Sequence, residues 1–193
     1  MNQPHCYVIA HPTSRVVNDC TASLKKHGWV FDVVPAVNGH TVTEQTWKEI
    51  GVQMSTNGKM SRRPGAQGCW MSHWQLWNRC VKTKQSMIVL EHDAVATAPW
   101  PADLDIESTL IKLYTTAECK INPAFGLWSK GSYAYTLTPA QAQRLISYAQ
   151  DNGAQAVDKH LGEKVLSWKF HCTDLVVLNA LRGKSTTSMK VKI

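Results

Sequence analysis

Residues Met87-Ile88-Val89-Leu90 form an unbroken apolar run that passes directly into Glu91-His92-Asp93-Ala94. This junction limits what the chain can become. The run reads as a buried strand that delivers two acids to its carboxyl end. Side chains at i and i+2 of an extended segment project the same way, so Glu91 and Asp93 can share one hard cation. Such a cation can hold a diphosphate. The plainer alternative is a strand followed by a polar turn.

The segments around this strand alternate in kind. Cys6 to Ala10 form an apolar run ending in His11-Pro12, and residues 15 to 27 carry a mixed Val, Leu and Lys pattern stopped by Gly28, which reads as strand, loop, helix. Trp29 to Val34 is a second β-prone run, closed by Pro35 and the turn-prone Asn38-Gly39. Strand, helix, strand suggests a parallel crossover. Residues 51 to 67, rich in Gly and basic residues, read as a mobile loop. From Gly68 to about Lys84, Trp70, Trp74, Trp77 and Val81 recur at helical spacing and predict a core-facing stripe. Leu110 to Tyr114 and Gly131 to Leu137 are further strand candidates, and Phe125 to Trp128 a weaker one. Thr138-Pro139 opens a helix whose buried stripe is Ala142, Leu145, Ile146 and Ala149.

Composition bounds the class. At 193 residues and 44% hydrophobic, the chain suits one well-filled domain spanning 1–193, with a basic tail at about 182–193. No run is long enough to cross a bilayer, and the start lacks a secretory pattern, so a cytoplasmic protein is expected. Six cysteines without a close Cys-x-x-Cys pair argue for reduced thiols and against a zinc knuckle or disulfide framework. The net charge of +7, from 21 basic and 14 acidic residues, points to an anionic partner, which nucleotide phosphates alone could satisfy. Gly183-Lys184-Ser185-Thr186 imitates the end of a phosphate loop, but position 178 is Leu where the upstream Gly is needed.

Five segments in order resemble glycosyltransferase family 25, the lipooligosaccharide and collagen galactosyltransferases. Phe31 to Gly39 resembles a segment ending in a Pro-Ala-Val-Asp/Asn-Gly turn, and Gly68 to Trp77 its Gly-Cys-x-x-Ser-His helix start. Ile88 to Ala94 stands where the family has an apolar strand running into Glu-Asp-Asp, with His92 in place of the middle acid. Gly131 to Tyr135 with Leu137 to Ala142 resembles the Gly-x-x-Ala-Tyr segment and the Pro-x-x-Ala that follows it, and Val157-Asp158 a later Val-Asp pair. The resemblance implies an α/β fold of GT-A type, a Rossmann-like and mostly parallel sheet flanked by helices. It also implies a nucleotide-sugar donor such as a UDP-hexose, Mn²⁺ (or Mg²⁺), and inverting transfer to an acceptor hydroxyl on a saccharide or lipid-linked glycan.

On this reading Asp93, then Glu91, are the metal ligands, because carboxylates suit Mg²⁺ or Mn²⁺. Inversion needs a base for the acceptor proton; Asp158 is the candidate by resemblance, its local sequence fitting a helix cap equally well. Ser72 and His73 either bind donor or cap and pack the tryptophan helix. His11 and Arg15 follow the first strand, where ligands of open α/β sheets sit, and His92 joins them as a donor-binding candidate. Arg62 and Arg63 could close over the diphosphate as part of a lid. The charge and tail leave two alternatives: an acceptor that is a hydroxymethylated base in DNA, or a non-catalytic nucleotide- or nucleic-acid-binding module that lost its metal site at His92.

Overall fold

A computed structural model describes residues 3–54, 60, 63–115, 119–122, 126–171 and 173–180. Arg62, Cys172 and the basic stretch 182–193 lie outside the described residues. In chain order the elements are β1 (His5–Ala10), α1 (Val17–Lys26), β2 (Phe31–Pro35), a short 3₁₀ turn (Gly39–Thr41), α2 (Glu44–Glu49), α3 (Pro64–Thr83), β3 (Met87–Glu91) and β4 (Ala94–Ala96). There follow β5 (Leu110–Lys112), β6 (Cys119–Asn122), β7 (Gly126–Ser129), β8 (Ala134–Leu137), α4 (Pro139–Asn152), α5 (Val157–His160), β9 (Trp168–Phe170) and β10 (Val176–Leu178).

Six strands make the central sheet in the order β2-β1-β3-β8-β5-β9. β1 pairs in parallel with both β2 and β3, and β5 with β9, while β8 runs against its neighbours β3 and β5. The sheet is therefore mostly parallel and flanked by helices, as the alternation of segments predicts. β4 pairs with β10, and β6 with β7, in two small antiparallel ladders.

The alternation along β3 feeds two cores. Met87 and Val89 face α3 and α4, together with Trp70, Trp74 and Trp77, while Ile88 and Leu90 face α1 with Cys6, Val8 and Leu24. Every β3 residue before Glu91 is buried, as an apolar run covered by helices on both faces should be. The tryptophan stripe is core: Trp70 and Trp77 are fully buried and Trp70 stacks on Trp74 at 5.1 Å. Each such ring removed from water is worth on the order of 2 kcal/mol or more.

Thr138 caps α4 through a reciprocal box with Gln141, with Pro139 in the first turn, which matches the predicted start. α3, in contrast, begins at Pro64, four residues ahead of the predicted start at Gly68. The Pro64-Gly65 pair reads as a turn, yet proline fits the first helical turn, where its missing N–H is not needed.

The early start has a steric consequence. A Cβ on Gly39 would lie 1.6 Å from the Pro64 carbonyl oxygen, and one on Gly68 would lie 2.4 Å from that of Val37. The first turns of α3 thus rest directly on the backbone that follows β2. Ser72 seals the contact, accepting the Val37 N–H at 2.9 Å and donating to the Gly68 carbonyl at 2.7 Å.

Candidate active site

β1 lies between β2 and β3, so the chain leaves it toward one neighbour and returns past it to the other. The sheet order reverses there, and in open α/β sheets that is where ligands bind, in a crevice beyond the carboxyl ends of the strands, here β1 and β3. The residues after β1 and β3 line that end. β8, being antiparallel, brings its preceding segment Gly131-Ser132-Tyr133 to the same side.

Glu91 continues the face set by Met87 and Val89, which turns it toward α3. Its Oε1 accepts from the Ser132 hydroxyl at 2.8 Å and lies 3.5 Å from His73 Nε2. Burial pushes the Glu91 carboxyl up, but His73 and Ser132 outweigh it and bring the group below its ordinary value. His73 is wholly buried; its Nδ1 is 2.8 Å from the Tyr135 hydroxyl, which also accepts from Trp77 Nε1 at 3.0 Å.

Asp93 does not continue the alternation. The strand ends at Glu91 and residues 92 and 93 turn, so the i, i+2 geometry expected of an extended segment is replaced by a bend. The Asp93 carbonyl accepts the Asn179 N–H at 2.8 Å, and the Asp93 carboxylate raises the thiol pKa of Cys20 on α1, after burial. Asp93 thereby lies within electrostatic reach of the α1 side, whereas Glu91 contacts the α3 side. His92 turns to the loop after β1, its Nδ1 2.6 Å from Ser14 Oγ. In that loop His11 is exposed, with Nδ1 2.8 Å from Thr13 Oγ1, and Arg15 is exposed. His11, Arg15 and His92 therefore gather at the crevice mouth.

Asp158 sits in the first turn of α5, whose cap position is Ala156, so it is not the helix cap that its local sequence also allows. Burial pushes its carboxyl above the ordinary value, opposed by Lys112 and by backbone N–H groups of Lys159 and Gly131. Its Oδ1 is buried without a hydrogen-bond partner. A thiol reports how the acids converge: Cys69, one turn before His73, is pushed well above its ordinary value first by burial and then by Glu91, Asp158 and Asp93. A strand end, a turn and a short helix thus each carry a carboxylate within electrostatic reach of one thiol.

Sequence reasoning assigned no role to Lys112, Cys69, Ser132 or Tyr135. Lys112 is fully buried on β5, with Nζ 2.5 Å from Ser129 Oγ and 4.2 Å from the centre of the Trp168 ring. Burial lowers its pKa to about 8, with Asp158 opposing. A lysine inside the run Leu110 to Tyr114 was the available signal, since a buried lysine without a purpose is rare. Ser72, expected to bind donor or to pack, is buried with its hydroxyl engaged by Val37 and Gly68. Arg63 precedes α3 and its carbonyl accepts from Ala66 and Gln67.

Among the described residues, Cys69, His73 and Glu91 offer metal-ligating atoms all within 4.8 Å of one another. A hard divalent ion is better matched by carboxylates. Glu91 suits one, since Ser132 donates to Oε1 and His73 Nε2 lies 3.5 Å from that same oxygen, while Oε2 has no protein partner among the described residues. No described helix is long and apolar enough to cross a membrane.

Residues 14–105 match the family described as glycosyltransferase family 25 (LPS biosynthesis protein), which bears out the resemblance read from the sequence. The Asn-Gly turn, the Gly-Cys helix start and the acidic strand end fall inside the match; the segments at 131–142 and 157–158 fall outside it. No curated protein matches the chain. Among solved structures, the chain is similar to the glycosyltransferase GlyE of Streptococcus pneumoniae TIGR4, at 11% identity and a TM-score of 0.48, over 88% of this chain and 45% of that one. The chain spans less than half the length of that structure.

Proposed function

From the match of residues 14–105 to glycosyltransferase family 25, we propose that the chain transfers a hexose from a nucleotide-sugar donor, a UDP-sugar, to a hydroxyl of a saccharide or lipid-linked glycan with inversion. The observation that supports this reading is a pair of buried acids: Glu91 at the end of β3, with Ser132 on Oε1 and His73 Nε2 3.5 Å away, and Asp158, with a buried Oδ1 that has no hydrogen-bond partner. His11, Arg15 and His92 meet the donor at the crevice mouth, with Arg15 facing its phosphates and Arg63 approaching from the start of α3. Asp93 and Glu91, the acids on either side of the turn at His92, are the residues that would hold Mn²⁺ or Mg²⁺. A bound ion of that kind offsets the negative charge that builds on the departing diphosphate.

Asp158 is the base. Its raised carboxyl and partnerless Oδ1 suit a group that must accept a proton from the acceptor hydroxyl as that oxygen attacks the anomeric carbon. The bond to the diphosphate breaks from the opposite face, and the sugar leaves with inverted configuration. Gly131 and Lys159 orient the carboxylate through their N–H groups.

The test is a thermal-shift screen of nucleotide sugars with and without Mn²⁺, on wild type and on Asp93→Asn. Stabilisation by one donor that requires Mn²⁺ and vanishes in the variant is the expected result. Donor turnover with a glycan acceptor should fall at least 100-fold in Asp158→Asn while donor binding persists. Stabilisation indifferent to both metal and Asp93 refutes the site, and transfer to hydroxymethylated DNA alone refutes the acceptor.

A further inference from the structure

The Tyr135 hydroxyl is the hinge of a buried hydrogen-bond chain. Trp77 Nε1 can only donate, so Tyr135 Oη accepts from it at 3.0 Å. The hydroxyl has one proton left to place. Tyr135 is fully buried, and among the described residues the remaining polar neighbour of Oη is His73 Nδ1, at 2.8 Å. If Nδ1 carried the proton, the Tyr135 proton would have no acceptor, at a cost of roughly 1–3 kcal/mol for a buried polar group. The arrangement that satisfies the Tyr135 hydroxyl has it donating to Nδ1, which leaves the His73 proton on Nε2. That nitrogen makes no hydrogen bond, but it lies 3.5 Å from Glu91 Oε1, where a carboxylate favours an N–H over a bare lone pair.

From this geometry we infer that Trp77, Tyr135 and His73 form a one-way relay that holds His73 as the Nε2–H tautomer beside the Glu91 carboxylate, making His73 a positioning residue for Glu91 and neither a donor-sugar contact nor a metal ligand. The inference deepens the proposed function and rests on it only where Glu91 meets a cation. His73 and Ser132 both converge on Oε1. Together they fix the carboxylate plane and keep Oε2 as the oxygen for an ion. The rival use of the cluster, a thiophilic site of Cys69, His73 and Glu91, requires a bare Nε2, since Nδ1 is taken by Tyr135 and Nε2 is the nitrogen beside Glu91. It therefore requires the tautomer that the Tyr135 hydroxyl disfavours.

Sequence hides this relay because its members are far apart. Tyr135 and His73 are 62 residues from each other, and Tyr135 and Trp77 are 58. Each looks like ordinary core by itself. The β8 register brings them together: Tyr135 lies opposite Val89, two residues before Glu91 on the same face.

Two measurements on the full chain test the inference. Long-range ¹H–¹⁵N correlation of the imidazoles, with His73 assigned by comparison with His73→Asn, should give the Nε2–H tautomer. Tyr135→Phe, which keeps the ring and deletes the hydroxyl, should lose that preference. Mn²⁺ affinity, read by water-proton relaxation, should weaken about 10-fold in Tyr135→Phe and 10–100-fold in His73→Asn, the range for lost orienting partners of metal ligands. Both variants should keep the wild-type far-UV spectrum.

An Nδ1–H tautomer overturns the inference. So does a Cd²⁺–thiolate absorption band that is lost in both Cys69→Ser and His73→Asn, because His73 would then be a ligand. Unchanged Mn²⁺ affinity in both Tyr135→Phe and His73→Asn also overturns it. A wild-type protein that takes up no Mn²⁺ refutes the cation in the proposed function, and the tautomer measurement then decides the relay alone.

Discussion

Gly68→Ala separates helix propensity from close approach at a single atom. Inside a helix, alanine is favoured over glycine by about 1 kcal/mol, so local reasoning predicts a more stable protein. The added Cβ, however, would stand 2.4 Å from the Val37 carbonyl oxygen, 2.7 Å from the Gly39 amide nitrogen and 3.0 Å from the Gly39 Cα. These are backbone atoms and cannot rotate away. Relief requires α3 to move off the segment after β2, which also stretches the Ser72 bonds to Val37 and Gly68. Overpacking of this kind costs about 1–3 kcal/mol, and three backbone contacts argue for the upper end. The expected net is a loss of about 1–2 kcal/mol, or roughly 2–8 °C in Tm for a chain of this size. Calorimetry reads it, with the exposed α3 substitution Gln75→Ala as a control that should stay within about 0.5 kcal/mol. A Gly68→Ala protein that melts at or above wild type refutes the close approach, and with it the account of why both segments carry glycine.

Three further outcomes follow from buried groups. His160 is buried among Trp70, Trp77 and Tyr148, and burial lowers its pKa from 6.5 to about 4. The unfolded chain therefore binds this proton first, so the stabilisation is complete above about pH 6.5 and is lost as pH falls toward 4, by about 3 kcal/mol in all. Urea melts between pH 7 and 4 should show this slope flattened in His160→Gln. Lys112→Met leaves the buried Ser129 hydroxyl and the Asp158 carboxylate without the ammonium and should lower thermal stability near pH 7 by about 1 kcal/mol or more. It should also move the acid limb of donor turnover to higher pH, because Lys112 holds the Asp158 pKa down; an unmoved limb refutes the coupling. Thr138→Ala breaks the α4 capping box and should cost about 1 kcal/mol in denaturant melts without changing donor binding.

The strand ending at Glu91 was legible because burial on both faces leaves an uninterrupted apolar run, and the α4 start because its cap is written in adjacent residues. The relation of Glu91 to Asp93 was not. Spacing places the two acids on one face only while the backbone stays extended, and the bend at residues 92 and 93 is held from outside, by Ser14 on His92 and by Asn179 on the Asp93 carbonyl. Neither partner is near in sequence. Ser72 was ambiguous for a related reason: its hydroxyl is spent on Val37, 35 residues away. Lys112 went unnoticed because apolar periodicity counts what a strand buries and passes over the one charge it buries as well.

The family pattern therefore mixes two kinds of residue that look equally like chemistry. Gly39, Gly68 and Ser72 hold α3 against the β2 turn. That contact sets where the next turn of the helix presents Cys69 and His73, and so how His73 meets the carboxylate at the end of β3. His92 belongs to this framework as much as to any ligand set: through Ser14 it fastens the turn after β3 to the loop after β1, the two loops that bound the crevice. A histidine where the family carries an acid removes one negative charge from a site that still has three carboxylates within electrostatic reach of Cys69. The substitution changes how the turn after β3 is tied to the loop after β1, while Glu91 and Asp93 on either side of it keep their carboxylates.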